Sequence, residues 1–412
     1  MNKLERIVYD YVKRNPKLKN LIRDSYQRIL SVVPKKKKDS QYRILEREGF
    51  FFGFHDKVPW SGDHTKLLAH RFELENRDIH KEDEVEVGYF SGKDYQEFKS
   101  LGKTNAWNWQ QGAMLQWVGD SNEILYNDWN GKKNHGKIID QEGNLIKELE
   151  GAVGALDPSG SYGLSYSFER LNIGMYGYGY ANENDPWKNE KIPGNSGLTL
   201  IDINENEGKM LFSIEDMAYF KPEASMENAY HFFTHCLFSP GGERFLFLHR
   251  WYHEGRRMHS RMISCDLEGK NRHIFPTNDM VSHITWVKED KVFAYCGHPE
   301  TGDGYYLFED QGGSPEKLGS GLYHADGHPQ HSLANDKIVT DTYPNRFRIQ
   351  ELSIYDYTTN EKDVVAKLKA PIAFKEVVRC DLHPRWNRHG TMLCFDSAHT
   401  GKRALCTLEL KK

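Results

Sequence analysis

A unit of about 40–50 residues recurs along this sequence and constrains its fold more than any other feature. The unit consists of a strand, a turn of the Ser/Asp-Pro-x-Gly kind, a second strand, a connection, and a strand that ends in Asp-x-x-Gly. Short strands that repeat at this spacing are typical of the blades of a β-propeller. The units divide the chain into seven segments: 50–102, 110–150, 152–216, 230–276, 280–318, 320–368 and 374–411. We therefore predict an all-β protein whose residues 41–412 form a seven-bladed β-propeller.

The last of these segments lacks a strand, and an isolated strand precedes the first segment. Residues 374–411 contain three clear strands, whereas Tyr42–Arg47 has the pattern of a single strand with no partner nearby in sequence. A ring of blades has open sheet edges until its two ends pair. We therefore predict that Tyr42–Arg47 supplies the fourth strand of the last blade and closes the ring.

Residues 1–40 differ from the rest of the chain. Apolar residues recur there at helical spacing, the opposite faces carry Lys and Arg, and lysines occupy positions 35 to 38. A basic amphipathic helix is typical of segments that bind a membrane surface or a protein partner. We predict a basic amphipathic helical extension over residues 1–40, with a peripheral membrane or protein partner bound through residues 1–38. The alternative is a solvated helix packed on the propeller rim.

Composition and charge narrow the class of protein. The net charge of −4 gives no field that attracts nucleic acid, so no nucleic-acid partner is expected. No stretch of about 18 apolar residues is present, which argues against a spanning helix, and the N-terminus has no apolar signal-peptide core. The six cysteines contain no Cys-x-x-Cys pair and suit reduced thiols. These features predict a cytoplasmic protein, with peripheral association at the inner membrane face through the basic extension.

Two segments between the predicted strands suit a sugar ligand. Trp107, Trp109 and Gln110 lie in one loop, where indole rings can stack on apolar sugar faces and the amide can bind hydroxyls. The alternative for this loop is packing between blades, anchored by the two indoles. Arg170 precedes an insertion rich in Gly and Tyr, which is a candidate substrate lid.

His249 and Arg261 bracket one connection of the fourth predicted blade. In this interpretation Arg261 begins a strand near the central axis, and an inward-facing guanidinium is unfavourable unless it meets an anion. This anion could be the carboxylate of a uronate substrate or that of a neighbouring Asp. We regard Arg261 and His249 as candidate substrate contacts on this basis.

Histidines recur at the starts of successive strands in the last third of the chain. They lie in three motifs: His283-Ile284-Thr285-Trp286, His324-Ala325-Asp326-Gly327-His328-Pro329 and Asp381-Leu382-His383-Pro384-Arg385-Trp386. Equivalent positions of a radial repeat map onto one ring, so these side chains are expected to converge at one end of the central channel. A convergent set of His, Arg and Asp has the composition of a metal or acid/base site. The alternative is a structural His in each blade, hydrogen-bonded within its own sheet.

These motifs resemble those of the oligogalacturonate lyases, a family of seven-bladed propeller polysaccharide lyases, and more loosely those of the propeller ulvan lyases. The segments His235–Pro240 and Arg261-Met262 belong to the same resemblance, which extends to Leu410. It implies that Arg261 and His283 perform the elimination. It also implies that His324 and His383 hold a divalent metal, typically manganese.

The last blade departs from the family pattern at two positions. The family has a second histidine where this chain has Asp381, and a glutamine where Val378 stands. A carboxylate is a suitable ligand for a hard cation, so a metal site is retained in principle. The predicted metal ligands are therefore His324, His383 and Asp381, with His328 as an alternate ligand or a partner of the ligands. Arg385, in the same motif, is assigned to substrate binding.

The leading functional hypothesis is a carbohydrate-active, lyase-like enzyme that acts by β-elimination on an anionic, uronic-acid glycan. Arg261 would bind the substrate carboxylate, His283 would remove the proton from C5, and a divalent cation would offset the carboxylate charge. The alternative is a non-catalytic propeller that binds a glycan or a protein beside a polysaccharide assembly system at the inner membrane. A transferase is a third class, but no nucleotide-phosphate loop supports it.

Overall fold

Seven antiparallel β-sheets follow one another along the chain and form a seven-bladed β-propeller, as the sequence repeat predicts. The computed structural model describes residues 36–255, 257–323 and 325–410. From residue 36 onward, two strands precede the first blade: β1 (Lys38–Ser40) and β2 (Ile44–Glu48). Blade 1 consists of β3 (Phe50–Phe51), β4 (Leu67–Arg71), β5 (Val85–Ser91) and β6 (Glu97–Thr104). Blade 2 consists of β7 (Gln116–Trp117), β8 (Ile124–Trp129), β9 (Asn134–Ile139) and β10 (Leu145–Glu148).

The next three blades repeat the same meander of four strands. Blade 3 consists of β11 (Ala155–Leu156), β12 (Tyr162–Ser165), β13 (Gly197–Asp202) and β14 (Glu207–Ser213). Blade 4 consists of β15 (Tyr230–Phe238), β16 (Arg244–Tyr252), β17 (His259–Asp266) and β18 (His273–Ile274). Blade 5 consists of β19 (Val281–Lys288), β20 (Lys291–Cys296), β21 (Gly304–Glu309) and β22 (Gly312–Leu318).

The last two blades each recruit a strand from the N-terminal side of the chain. Blade 6 consists of β23 (Gln330–His331), β24 (Lys337–Asp341), β25 (Ile349–Asp356) and β26 (Glu361–Lys369), and β1 adds a fifth strand to it. Blade 7 consists of β27 (Arg385–Trp386), β28 (Met392–Ser397) and β29 (Ala404–Glu409), and β2 completes it. Among the described residues, α1 (Phe168–Gly174) lies in the blade 3 insertion and α2 (Ile214–Tyr219) lies in the connection from blade 3 to blade 4. Turns of 3₁₀ helix occur in this part of the chain at Lys93–Tyr95, Ala224–Met226 and Glu376–Val378.

The pairing of β2 with β29 closes the ring, which confirms the predicted closure. Ile44 lies opposite Leu408 and Glu48 lies opposite Ala404. The strand begins two residues later and ends one residue later than the predicted Tyr42–Arg47. Because β2 fills the open edge of a three-stranded blade, it leaves blade 7 with the same number of strands as its neighbours.

Most of the predicted N-terminal helical extension lies outside the described residues. The last part of it is described, and there the chain is extended rather than helical. Lys38, the last of the four lysines, pairs with Leu368 at the start of β1, so this lysine belongs to a sheet. Within the described part of the chain, no helix is long and apolar enough to cross a membrane.

Alternation of apolar side chains along the strands builds the core between the blades. In blade 4, Phe245, Phe247 and Ile263 pack with residues of blade 3, such as Phe212. The residues next to them, Leu246, Leu248 and Met262, pack on the opposite face with residues of blade 5. This is the period of two that a strand imposes, and each such fully buried side chain contributes about 1.5–3 kcal/mol to folding.

Matching turns fix where the innermost strand ends in blades 4, 6 and 7. The backbone N–H of Ser239, Ser332 and Asn387 each donates to a carbonyl five residues ahead, at 2.8, 2.9 and 3.0 Å. A histidine stands four residues before each of these turn residues: His235, His328 and His383. The shared turn geometry places these histidines at equivalent points of three blades, at one end of the channel.

Candidate functional site

Five histidines surround the axis of the propeller at this end, which we call the histidine end. The His328 ring centroid lies 4.1 Å from that of His283 and 4.3 Å from that of His383. His55, which precedes the first long strand of blade 1, lies 5.6 Å from His328, and His235 lies 6.4 Å from His283. All five are buried. Blades 1, 4, 5, 6 and 7 thus each contribute one imidazole to a single cluster.

Three buried side chains of this cluster can hold a metal ion. Ligand atoms of His328, Asp381 and His383 all lie within 4.8 Å of one another. His328 Nε2, His383 Nε2 and Asp381 Oδ1 are buried and have no hydrogen-bond partner among the protein atoms of the described residues. Buried polar atoms are normally paired, so three unpaired ligand-type atoms at one point indicate a site built for a bound group.

Asp341, at the end of β24, orients two of these candidate ligands. Its Oδ1 accepts hydrogen bonds from the His328 backbone N–H at 2.8 Å and from His328 Nδ1 at 2.7 Å. Its Oδ2 accepts from the backbone N–H groups of Leu382 and His383 at 3.0 and 3.2 Å. With Nδ1 of His328 engaged in this way, Nε2 of that ring is free to face the cluster.

Asp326 makes the corresponding contact to His283. Its Oδ1 lies 3.1 Å from His283 Nδ1, and its Oδ2 accepts a hydrogen bond from Ser282 Oγ at 2.5 Å. A carboxylate accepts and does not donate, so this contact favours a proton on Nδ1 and a lone pair on Nε2 of His283.

Burial sets the protonation of most of the cluster. Burial lowers the pKa of His283 below the ordinary histidine value, although the Asp326 carboxylate opposes this. Burial and the neighbouring imidazoles lower the pKa of His55, and burial and Arg250 lower that of His235. Burial and the charge of His328 also lower the pKa of His383. These imidazoles are therefore neutral at pH 7 and available to accept a proton or bind a metal.

His328 differs from the other histidines of the cluster. Burial lowers its pKa, but the charges of Asp341, Asp381 and Asp326 outweigh burial and raise the pKa above the ordinary value. The cluster therefore contains one imidazole that favours the protonated form whenever no cation is bound beside it.

Two arginines border the histidine end. Arg379 donates from Nε to Asp381 Oδ2 at 2.5 Å and from Nη2 to the Tyr178 hydroxyl, and it lies 5.9 Å from the centre of the Tyr343 ring. Arg250 is buried, and burial lowers its pKa to about 10, while Tyr178, Tyr343 and Asp326 oppose this. Both guanidinium groups are therefore charged at pH 7. Arg250 Nε is buried without a hydrogen-bond partner among the described residues.

The structure corrects the predicted position of Arg261. Its guanidinium donates to the carbonyl oxygens of Met217, Phe220 and Lys221 at 2.7–2.9 Å, where it covers the C-terminal end of α2. The Nη1 and Nη2 groups of Arg261, which would bind an anion, are therefore used on main-chain oxygens. Arg261 pairs across the sheet with His249, so it projects from the face opposite to Arg250. Arg250, and not Arg261, is the blade 4 arginine beside the histidine cluster.

His249 and Arg385 also have structural partners. His249 Nδ1 accepts from Arg261 Nε at 3.2 Å, and His249 Nε2 lies 2.9 Å from His231 Nδ1, on the Arg261 face. Arg385 pairs with Asp396 at 3.3 Å and donates to the Gly53 carbonyl. The structure therefore gives His249 a structural role. Arg385 fixes the segment that leads to His55, and because its Nε has no hydrogen-bond partner among the described residues, its predicted substrate contact stays a prediction.

The Trp107 and Trp109 loop packs between blades, as in the alternative interpretation of the sequence. Both indoles are buried, at 1% and 3% exposure, and they lie edge to face at 4.9 Å. Their Nε1–H groups donate to the carbonyls of Asp83 and Arg77 at 2.8 Å. The cavity beside these rings has a volume of only about 30 Å³, which is too small for a sugar. Gln110 donates to the carbonyls of Val377 and Arg379, and so it positions the loop that carries Arg379.

Replacement of Trp109 with Ala should therefore affect stability and not glycan binding. Removal of a buried indole typically costs about 3–5 kcal/mol of the free energy of unfolding. Chemical denaturation measures this loss. The control is Tyr176→Ala, which removes a ring that is 59% exposed and should change the free energy of unfolding only slightly. A folded Trp109→Ala protein that loses glycan binding at unchanged stability would contradict the packing assignment.

Arg170 holds the blade 3 insertion in place rather than facing a ligand. It pairs with Asp185 at 3.0 Å and donates to the carbonyls of His231, Trp187, Glu190 and Lys191. All of its donors are thus used within the protein. The insertion nevertheless bears on the site, because Tyr178 belongs to it and binds Arg379.

The described residues therefore bring together four of the predicted site residues: His283, His328, Asp381 and His383. His324 lies outside the described residues. Sequence reasoning did not assign His55, His235, Arg250, Asp341 or Arg379 to the site. For His235 a signal was present, because it stands at the same distance from its turn as His328 and His383.

Comparison with known proteins supports the fold. No family model matches the chain, and no curated protein matches it in sequence. An oligogalacturonate lyase from Vibrio parahaemolyticus is similar in structure, with a TM-score of 0.59 and 12% identity over 92% of this chain and 99% of that one. The β-propeller domain of the Trilobed protease from Pyrococcus furiosus has a TM-score of 0.50 and 11% identity over 87% of this chain and 96% of that one. A lyase and a protease domain share this architecture, so the likeness establishes a β-propeller and function must be argued from the site.

Proposed function

We propose that the protein is a divalent-cation-dependent lyase that cleaves an anionic, uronic-acid glycan by β-elimination at the histidine end. The observation that carries the proposal is the set of three unpaired, buried ligand atoms on His328, His383 and Asp381. These atoms lie beside a histidine base and two arginines.

The residues present fit a divalent cation. Metal–ligand bonds of about 2.0–2.6 Å join ligand atoms that are separated by up to roughly twice that length, and the three atoms lie within 4.8 Å of one another. Two imidazoles and a carboxylate suit manganese, zinc or a similar ion. The ligands must be deprotonated. The lowered pKa of His383 meets this requirement, whereas His328, whose pKa is raised, would lose its proton when a cation binds. When bound there, a cation would offset the charge of a uronate carboxylate and make the proton on the adjacent C5 more acidic.

His283 is the base in this proposal. The Asp326 contact favours the tautomer with a free lone pair on Nε2, and the lowered pKa keeps the ring neutral at pH 7. His283 takes the proton from C5, the C5–H electron pair becomes the C4–C5 double bond, and the glycosidic oxygen leaves C4 with its bonding pair.

Arg250 takes over the role that the sequence assigned to Arg261. Its guanidinium is buried and charged at pH 7. Nη2 donates to the carbonyls of Val281 and Ser282 at 3.3 and 3.5 Å, whereas Nε has no hydrogen-bond partner among the described residues. The Nε–H group can therefore donate to an anion, and a substrate carboxylate would provide one. Arg379 lies closer to the Tyr178 side and is already paired with Asp381. We therefore assign carboxylate binding to Arg250 and orientation of Asp381 to Arg379.

Titration of the metal-free protein with manganese tests the cation site. We expect saturable manganese binding by the wild type. Loss of a residue that only supports a metal ligand typically lowers the affinity by about 10–100-fold, and His383→Ala, which removes a ligand, should lower it further. His389→Ala removes an exposed histidine outside the cluster and should leave the affinity unchanged. Equal manganese affinities in the wild type and His383→Ala would show that His383 does not belong to a metal site.

The reaction itself is tested on a panel of uronic-acid polysaccharides. β-Elimination produces an unsaturated uronate that absorbs in the ultraviolet, whereas the products of hydrolysis lack this absorbance. We expect absorbance to rise with wild-type protein and manganese, and to stay flat after chelation. Saturable binding of a glycan without an unsaturated product would instead support the alternative of a non-catalytic binding propeller.

A further inference from the structure

A cavity of about 370 Å³, partly open to solvent, lies among the turns that follow the innermost strands, at the end of the channel opposite to the histidine end. Residues of all seven blades line it, and its entrance contains the exposed turn residues Pro158 and Pro240. Its inner end contains Asp56, Lys57 and Cys236. A volume of this order falls in the range of small-molecule pockets.

This cavity is separate from the histidine end. The Phe54 ring packs against the cluster, with its centroid 4.8 Å from His235, 5.1 Å from His383 and 4.4 Å from His55. None of the histidines of the cluster lines the cavity. A ligand there would therefore not contact the proposed metal ligands, and the inference does not depend on the lyase proposal.

A buried ion pair at the inner end has unused hydrogen-bonding capacity. Lys57 Nζ lies 2.7 Å from Asp56 Oδ2, and the two side chains are 9% and 8% exposed. Asp56 Oδ1 is buried and has no hydrogen-bond partner among the described residues. An ammonium group has three donors, and Lys57 uses one of them on Asp56. The pair can therefore both accept and donate a hydrogen bond to a ligand.

Two tryptophans supply apolar walls. Trp117 and Trp286 line the cavity from blades 2 and 5. Their Nε1–H groups donate to the carbonyls of Pro59 and Leu237 at 3.0 and 3.2 Å. The indole N–H groups are thus engaged by the protein. Each side chain is 6% exposed, so a small apolar part of each ring is left for a ligand in the cavity to contact.

We propose that this cavity binds a monosaccharide or a similar neutral polyol. A hydroxyl group both donates and accepts, so neighbouring hydroxyls match the Asp56–Lys57 pair. The C–H face of a sugar ring packs on aromatic rings such as those of Trp117 and Trp286. A simple anion would lie beside Asp56 and a simple cation beside Lys57, and in a buried site such like-charge contacts are unfavourable.

Ligand-detected NMR and tryptophan fluorescence with D-glucose, D-galactose and myo-inositol test the proposal. We expect saturable binding of at least one of these by the full chain, and a loss of roughly tenfold or more in Asp56→Asn, because a hydrogen bond to a charged group is removed. Trp286→Phe keeps an aromatic wall but removes a reporter, so the fluorescence response should shrink. The control Trp187→Phe, at an indole outside this cavity, should keep the response.

Two results would overturn the proposal. The first is that none of the three polyols binds saturably to the wild type; binding of the zwitterion glycine in that case would assign the cavity to a different ligand class. The second is an unchanged polyol affinity in an Asp56→Asn protein whose thermal unfolding midpoint matches the wild type. Loss of manganese binding in His383→Ala does not bear on these results, so the two proposals fail independently.

Discussion

Replacement of Asp326 with Asn is expected to lower kcat of the proposed elimination by roughly 10²–10⁴-fold, the range over which positioned acid–base groups act. The carboxylate holds the proton of His283 on Nδ1 at 3.1 Å. An amide can donate from its nitrogen instead, which stabilises the tautomer with the proton on Nε2. The base would then face the substrate with a proton already in place, while the manganese ligands stay intact.

The pH profile provides a second readout of the same replacement. His283 is active when neutral, so activity is lost as pH falls through its pKa, and that pKa lies below the ordinary 6.5. The acid limb of kcat/KM should therefore lie below pH 6.5. Because the Asp326 charge raises the pKa of His283, Asp326→Asn should move the limb to still lower pH and lower the plateau.

The control for this experiment is Asp120→Asn, at a side chain that is 87% exposed and pairs with Arg388. It removes the same charge without contact to the cluster and should leave both the plateau and the acid limb unchanged. A plateau in Asp326→Asn equal to that of the wild type would exclude the assigned role of Asp326 in fixing the tautomer of a His283 base.

The sequence predicts the convergence of the histidines because a propeller repeats its geometry. His328 and His383 stand at the same distance from their turns, and a radial arrangement brings equivalent positions onto one ring. The same reasoning predicts seven blades and the closing strand β2. These features depend on spacing along the chain, which a sequence shows directly.

Which face of a strand a residue occupies is harder to predict. Arg250 and Arg261 lie on adjacent strands, and a shift of one residue in register exchanges the faces. A register shift between Thr234 and Leu237 on the neighbouring strand adds to the uncertainty. The pairing of His249 with Arg261 sends Arg261 to α2 and Arg250 to the channel. Only the folded sheet reveals this outcome.

His55 was missed for a different reason. In blade 1 the position four residues before the turn residue Ser61 is Lys57, not a histidine. His55 reaches the cluster from two residues further upstream, where its Nδ1 contacts the Pro329 carbonyl at 2.7 Å. The tertiary contact with blade 6, and not the repeat, places this side chain.

Replacement of Asp341 with Ala should affect stability and metal binding together. Its two oxygens accept four hydrogen bonds from His328, Leu382 and His383, and its side chain is 0% exposed. Removal of one partner of a buried ion pair typically costs about 3–5 kcal/mol of the free energy of unfolding. Because the carboxylate orients two metal ligands, manganese affinity should fall by about 10–100-fold.

The pH dependence of this loss separates the ion pair from simple packing. The raised pKa of His328 means that its pairing with Asp341 contributes stability that is fully present below the ordinary histidine pKa of 6.5. This contribution is lost as pH rises through the higher pKa of folded His328. The difference in unfolding free energy between metal-free wild type and Asp341→Ala should therefore be largest at mildly acidic pH and should narrow as pH rises. If the difference in unfolding free energy stays constant across this pH range and the manganese affinity is unchanged, Asp341 contributes only through packing.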